Sequence, residues 1–382
     1  MIPVNEPLLN GNEKKYLNEC IETGWISSEG PFVLQFENKM AAVAGRGHGI
    51  AVCNGTAALE TAVAALEMRP GDEIIMPTFT IISCAAVVVR RGCVPVLVDS
   101  DPVTWNMDVG QVKAKITSRS RAIMVVHVYG LPVDMDPVLR IAETHGLKVI
   151  EDAAEMHGQT YKDRPCGSFG ELSTFSFYPN KHVTTGEGGM VLADDDRLAE
   201  RCRSLRNLCF QAKKRFVHEE LGYNFRMTNL QAALGVAQLE RLEEFVRLKR
   251  RMGKQYTDRL MRVEGLELMP ARTEYAENIY WVYGMVLKDE VPFAAEEAMR
   301  RLERRGIGSR PFFWPMHEQP VFREMGLFAG ERYPVAERLA RRGFYIPSGV
   351  ALTDAQIEEV AEAVKDILHG ADEMNRGIDS RK

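Results

Sequence analysis

The sequence predicts an α/β protein: a mostly parallel sheet of about seven strands flanked by helices, followed by a smaller C-terminal α+β domain. Three observations carry that reading. From about residue 50, short β-branched runs alternate with helix-patterned stretches, as in strands joined by crossover helices. Turn residues punctuate the alternation, notably Arg69-Pro70-Gly71-Asp72, Gly92 and Gly146. Beyond residue 228 the pattern becomes one long charged amphipathic helix, and a mixed segment follows it.

Taken in order, Ile50–Cys53 reads as a buried strand and Thr56–Glu67 as the helix after it. Glu73–Met76 is the next strand, and Phe79–Arg90 a helix that stops at Gly92, suited to the left-handed position past a helix end. Pro95–Val98, Ala122–Val126 and Leu147–Ile150 are further strands, with a helix over Met135–His145 between the last two. Ser173–Phe177 and Met190–Ala193 complete the sheet. Asn229 to about Val263 reads as a single helix. The polar tail from Asp372 is expected to fray.

Composition narrows the partners. The chain has 382 residues, 45% of them hydrophobic and 26% charged, with a net charge of −5. That balance offers no basic field for a nucleic acid or an anionic membrane. The longest apolar stretch, Ile81 to Val89, is too short to span a bilayer, and Met1–Asn10 lacks a signal-peptide pattern. Seven cysteines are scattered with no Cys-x-x-Cys pair, which points to reduced thiols in the cytoplasm. None of the eight histidines forms a His-x-x-x-His pair, so no metal site is expected.

Three features fall just past the carboxyl ends of predicted strands, where open α/β sheets place ligands. Asn54-Gly55-Thr56 presents a glycine and a hydroxyl at a helix start, which suits an anion; taken alone, Thr56 serves equally as a helix cap. Asp152, in Val149-Ile-Glu-Asp-Ala-Ala-Glu155, could pair with a protonated pyridine nitrogen or simply face solvent. Lys181 follows an apolar strand inside a loop of tyrosine, proline and glycines; a desolvated lysine there forms Schiff bases, whereas a solvated one only completes a turn. Together, a phosphate cradle, a pyridine partner and a Schiff-base lysine are the handles that pyridoxal phosphate (PLP) requires.

The stretches NGTAALE, PGDEIIMPTFT, VIEDAAEMHG, FSFYPNKHVTTGEGGM and GYNFRMTNLQAALGVAQLERL make the chain resemble the DegT/DnrJ/EryC1/StrS family of sugar aminotransferases. The resemblance runs from about Ile2 to Leu368. It implies the fold type I architecture and PLP that cycles with pyridoxamine phosphate. It also implies residues 1–25 bordering the cleft, a large domain over 26–263, a small one over 264–371 and a tail over 372–382. Carried over residue by residue, it makes Lys181 the cofactor-bearing acid/base and Asp152 the partner of the ring nitrogen. Glu155 would lie near the cofactor's 3′-oxygen, Phe79 would stack on its ring, and Gly55, Thr56 and Ser176 would hold its phosphate. Asn224 would reach the phosphate from a neighbouring subunit, which implies a homodimer with shared sites. Trp25, Ser28, Arg310 and His317 would contact the substrate. TTGEGG, HEELGYNFRMTNLQAA and RPFFWPMHEQPVF match the branch that aminates C4 of GDP-4-keto-6-deoxy-D-mannose with glutamate as donor. A UDP- or dTDP-linked keto sugar, or a PLP-binding regulatory role without turnover, are the alternatives. Lysine rather than histidine at 181 argues against the family's dehydratases.

Overall fold

The computed structural model describes residues 1–379, with side chains through Leu368. Its main sheet has seven strands: β1 (His48–Val52), β2 (Glu73–Pro77), β3 (Val94–Val98), β4 (Ser120–Val126), β5 (Lys148–Asp152), β6 (Leu172–Ser176) and β7 (Gly189–Ala193). They lie in the order β1-β7-β6-β5-β4-β2-β3. The pairings β6–β5, β5–β4, β4–β2 and β2–β3 are parallel, while β7 runs antiparallel to both β1 and β6.

The strands read as continuous apolar runs because the sheet is covered on both faces. Along β4, Ala122, Met124 and Val126 enter one core while Ile123 and Val125 enter the other. Ile74 and Met76 of β2 likewise point away from Ile75. Each such isoleucine, methionine or valine contributes roughly 1.5–3 kcal/mol on burial, and a one-residue slip of register would exchange the two cores' contents.

The predicted long helix is two helices. Asn229–Leu239 and Leu242–Leu260 are separated at Arg241, whose φ of −115° and ψ of 11° leave the helical region. The kink is held from outside: Glu240 accepts bonds from Tyr16 and Asn12, and Arg241 donates to Asn10. The helix expected over Phe79–Arg90 begins at Ile82, which leaves Thr78 to Ile81 as a loop over the end of β2.

A second, antiparallel sheet orders Leu266–Leu268, Tyr283–Leu287, Gly343–Ile346 and Arg310–Pro311. Its core takes Met252, Tyr256 and Leu260 from the preceding helix and Ile2 from the amino terminus. The first residues are stitched onto it: Ile2 N donates to Gly306 O at 2.8 Å, and Ser348 N donates to Val4 O at 2.8 Å. Asn5 then reaches the loop after β6, its Nδ2 donating to Pro179 O at 2.8 Å. The last helix runs from Asp354 to Asp379. Of the tail expected to fray, residues 380–382 lie outside the described residues. Among the described residues, no helix is long and apolar enough to cross a membrane.

Candidate active site

A cavity of about 710 Å³ opens at the carboxyl ends of the strands, lined by Asn54 after β1, Thr80 after β2, His127 after β4, Asp152 of β5 and Ser176 of β6. This is the edge where parallel α/β sheets collect ligands, because loops and helix starts converge there.

After β1 the side chain of Asn54, not Thr56, caps the helix Gly55–Ala65, its Oδ1 accepting from Ala57 N at 2.8 Å. That leaves the Thr56 hydroxyl free to meet Ser83 Oγ at 2.8 Å on the cavity wall. Gly55 packs directly on Ser176; a Cβ there would stand 2.7 Å from Ser176 Cβ and 3.0 Å from its Oγ. Only glycine lets this helix start approach the end of β6, and the result is a cluster of N–H and hydroxyl groups at a positive dipole end.

Lys181 sits in the hairpin loop that joins β6 to antiparallel β7. Phe177 closes the loop: its N donates to Gly188 O at 2.8 Å, and its carbonyl accepts from Thr185 N and Thr184 Oγ1. Lys181 N bonds Tyr178 O at 2.9 Å, which turns the side chain back into the cavity. The amine is 3.7 Å from Glu155 Oε1 and 3.9 Å from the ring centroid of Trp281. Burial lowers its pKa, opposed by the carboxylates of Glu155 and Asp152.

Asp152, 3% exposed, accepts from Ala154 N at 3.0 Å on one oxygen and from the Cys84 thiol at 3.3 Å on the other. Burial raises its pKa. Glu155 accepts from Tyr129 N at 2.6 Å, and burial pushes its pKa up to about 8 against the pull of Lys181. His127 is held in one tautomer: Nδ1 accepts from Val133 N, so Nε2 carries the proton toward Glu151.

Lys181, Asp152, Glu155, Gly55, Thr56 and Ser176 therefore share one cavity wall. The other sequence candidates do not. Phe79 is 1% exposed and packs edge-on against Tyr129 behind the wall, while Ile81 takes the lining position because the chain loops there before its helix. His317 is 1% exposed and bonded at both ring nitrogens, to Thr78 Oγ1 at 2.9 Å and Glu337 Oε1 at 3.3 Å, so it holds the fold together and leaves no nitrogen for a substrate. Arg310 is exposed on the short strand beside Tyr345, whose ring does line the cavity. Trp25 and Asn224 are exposed away from this wall, and Ser28 lines a separate cleft with Arg203, Arg215 and Arg226.

Sequence reasoning missed Trp281, Asn180 and Thr174, which also line the cavity. Trp281 lies on the second lobe, far along the chain, and no local pattern links it to Lys181. The Thr174 hydroxyl and the Asn180 amide oxygen are buried without a hydrogen-bond partner. Orphaned polar atoms on a cavity wall are the mark of a polar ligand's place, and with the Gly55–Ser176 cradle they fit PLP.

Fold and site together define a PLP-dependent aminotransferase. The chain belongs to the DegT/DnrJ/EryC1/StrS aminotransferase family, whose model matches residues 7–365. It is 41% identical to GDP-perosamine synthase of Caulobacter vibrioides, over 96% of this chain and 98% of that protein. It is 38% identical to GDP-perosamine synthase of Vibrio cholerae, over 97% and 100% respectively. Among solved structures, the aminotransferase TlmJ of Streptoalloteichus hindustanus superposes with a TM-score of 0.90 at 30% identity, covering 97% of this chain and 99% of that one.

Proposed function

We propose that this aminotransferase moves the amino group of glutamate to the C4 carbonyl of GDP-4-keto-6-deoxy-D-mannose, giving GDP-perosamine. The observation that carries the chemistry is a nearly buried amine, Lys181, at the wall of a cavity that also holds Asp152 and Glu155. An identity of 38–41% to GDP-perosamine synthases over nearly the whole chain supports the substrate.

PLP supplies an aldehyde that condenses with amines and a pyridine ring that accepts the electrons left on carbon. The chain supplies the rest. Gly55, Thr56 and Ser176 bind the phosphate through N–H and hydroxyl groups. Asp152 would pair with the ring nitrogen and keep it protonated, and the low dielectric around it would strengthen that pair. Lys181 would hold the cofactor at rest, and its freed amine would be the acid/base that carries the proton in the amino transfer. Glu155, whose carboxyl burial pushes up to about 8, would lie near the cofactor's 3′-oxygen.

Asn224 lies off its own cavity, and on this reading it serves the phosphate of a second copy, which makes a homodimer the working unit. Trp25 and Ser28 would border the substrate cleft from the same interface, and Arg310 would meet the diphosphate from the small lobe. The enzyme works in the cytoplasm. A panel of GDP-, UDP- and dTDP-linked keto sugars with glutamate, read by release of 2-oxoglutarate, tests the assignment. Turnover confined to a UDP or dTDP sugar would overturn the substrate, and no turnover with any of them would return the chain to a regulatory role.

A further inference from the structure

Lys249 is 1% exposed and lies on the helix Leu242–Leu260, outside the machinery described above. Lysine is rarely interior unless paired, and here two backbone carbonyls take the place of an acid. Its Nζ donates to Trp281 O at 2.8 Å and to Ser348 O. Ser348 follows the strand Gly343–Ile346, and its hydroxyl accepts from Tyr283 N at 2.8 Å. One amine thus ties the long helix to two segments of the second lobe.

The residue it grips is the one that covers the catalytic amine. The Trp281 indole lies 3.9 Å from Lys181 Nζ, centroid to nitrogen, and its Nε1 donates to Asn180 O at 2.8 Å. So the same tryptophan is fixed at its carbonyl by Lys249 and at its ring by the residue before Lys181. A ring face over an ammonium attracts it and excludes water from one side. Glu155 stands 3.7 Å from the amine. Between acid and ring, the amine has a defined place to rest.

Resting on the assignment of Lys181 as the cofactor-bearing lysine, we propose that Lys249 is a positioning residue for transamination. By clamping the Trp281 carbonyl it seats the indole over Lys181 and fixes where that amine waits and how dry it is. Glu155, Asp152 and Cys84 act electrostatically on Lys181; Lys181 in turn acts on Lys249, and Lys249 on the buried His182. None of these is a second acid for Lys249, so the carbonyl clamp is what holds it.

The test compares Lys249→Met, Trp281→Ala and Trp281→Phe with wild type after thermal unfolding confirms folding; Lys249→Gln replaces Lys249→Met if the latter does not fold. In the cofactor-free chain, acylation of Lys181 by acetic anhydride is followed across pH by peptide mass mapping. In the holoenzyme, kcat and KM for glutamate are measured separately. Releasing the indole lets water reach the amine and weakens the burial that depresses its pKa. Lys249→Met (or Gln) and Trp281→Ala are therefore expected to move the acylation midpoint up by about one pH unit. They should also lower kcat about tenfold, with KM changed less than about twofold. Trp281→Phe keeps a ring face and should restore the midpoint, and Lys249→Met added to Trp281→Ala should move it no further; a further rise would be the direct loss of the Lys249 charge and would overturn the clamp. A folded Lys249 variant with an unmoved midpoint overturns the proposal, whatever its thermal loss, since that is a merely structural residue's behaviour. Turnover by Lys181→Ala would instead sink the assignment of the catalytic lysine.

Discussion

Lys181 and Lys249 are both withdrawn from water, one on the sheet side of the molecule and one beneath the second lobe, yet their partners differ. Lys249 has two carbonyl acceptors at its amine. Lys181 has a carboxyl at 3.7 Å, longer than a good charge-assisted bond, a ring face and open volume. Burial depresses the pKa of both, that of Lys249 to about 7. What separates them is saturation. A buried amine whose protons are claimed is structure; one whose lone pair faces a cavity is a nucleophile.

The largest effect should come from the unsaturated member. Lys181→Ala is expected to keep the fold and still bind pyridoxamine phosphate, with turnover down by more than about 10⁴-fold, beyond the usual reach of a single acid/base group; stopped-assay turnover near wild type would erase the distinction. Asp152→Asn should follow, with a loss of about 10²–10³ in kcat because one charged partner of the reacting ring is gone. Steady-state kinetics at saturating cofactor would expose a milder loss.

The saturated class can be sharpened with His317, which both of its neighbours claim. His317→Leu leaves Thr78 and Glu337 short of a partner and should cost about 1–3 kcal/mol in urea unfolding. KM for the nucleotide sugar should stay unchanged, and a raised KM would place the ring at the substrate after all.

Glu155 gives the smallest and most directional effect. Its folded pKa, about 8, lies above the ordinary glutamate value of 4.5, so the folded chain holds more protons and loses stability as pH rises through that window. Glu155→Gln removes the titration. The cofactor-free variant should gain Tm relative to wild type between about pH 5 and 8, and the gap should stop widening above that. A gap independent of pH would mean that the carboxyl ionises normally.

Much of the sheet was legible because burial on both faces leaves unbroken apolar runs, as in Ala122–Val126 and Met190–Ala193. The break at Arg241 was not, since Leu239, Leu242 and Phe245 keep helical spacing through it and no glycine or proline marks it. Its cause is distant, in Asn10, Asn12 and Tyr16. The site divides in the same way. Lys181, Asp152 and Gly55 announce themselves by standing where strands end. Trp281 and the thiol of Cys84 act through space, from parts of the chain whose local patterns say only that they are buried. His317 misled because a histidine among aromatics looks alike whether it meets a ligand or a threonine.

The first five residues have a mechanical consequence. Ile2 and Val4 are fastened to the small lobe, and Asn5 to the turn that carries the reactive lysine. A rocking movement of that lobe would be transmitted along this short thread to the far side of the cleft. A bulky extension fused ahead of Met1 would therefore tug on the chemistry as well as on the terminus.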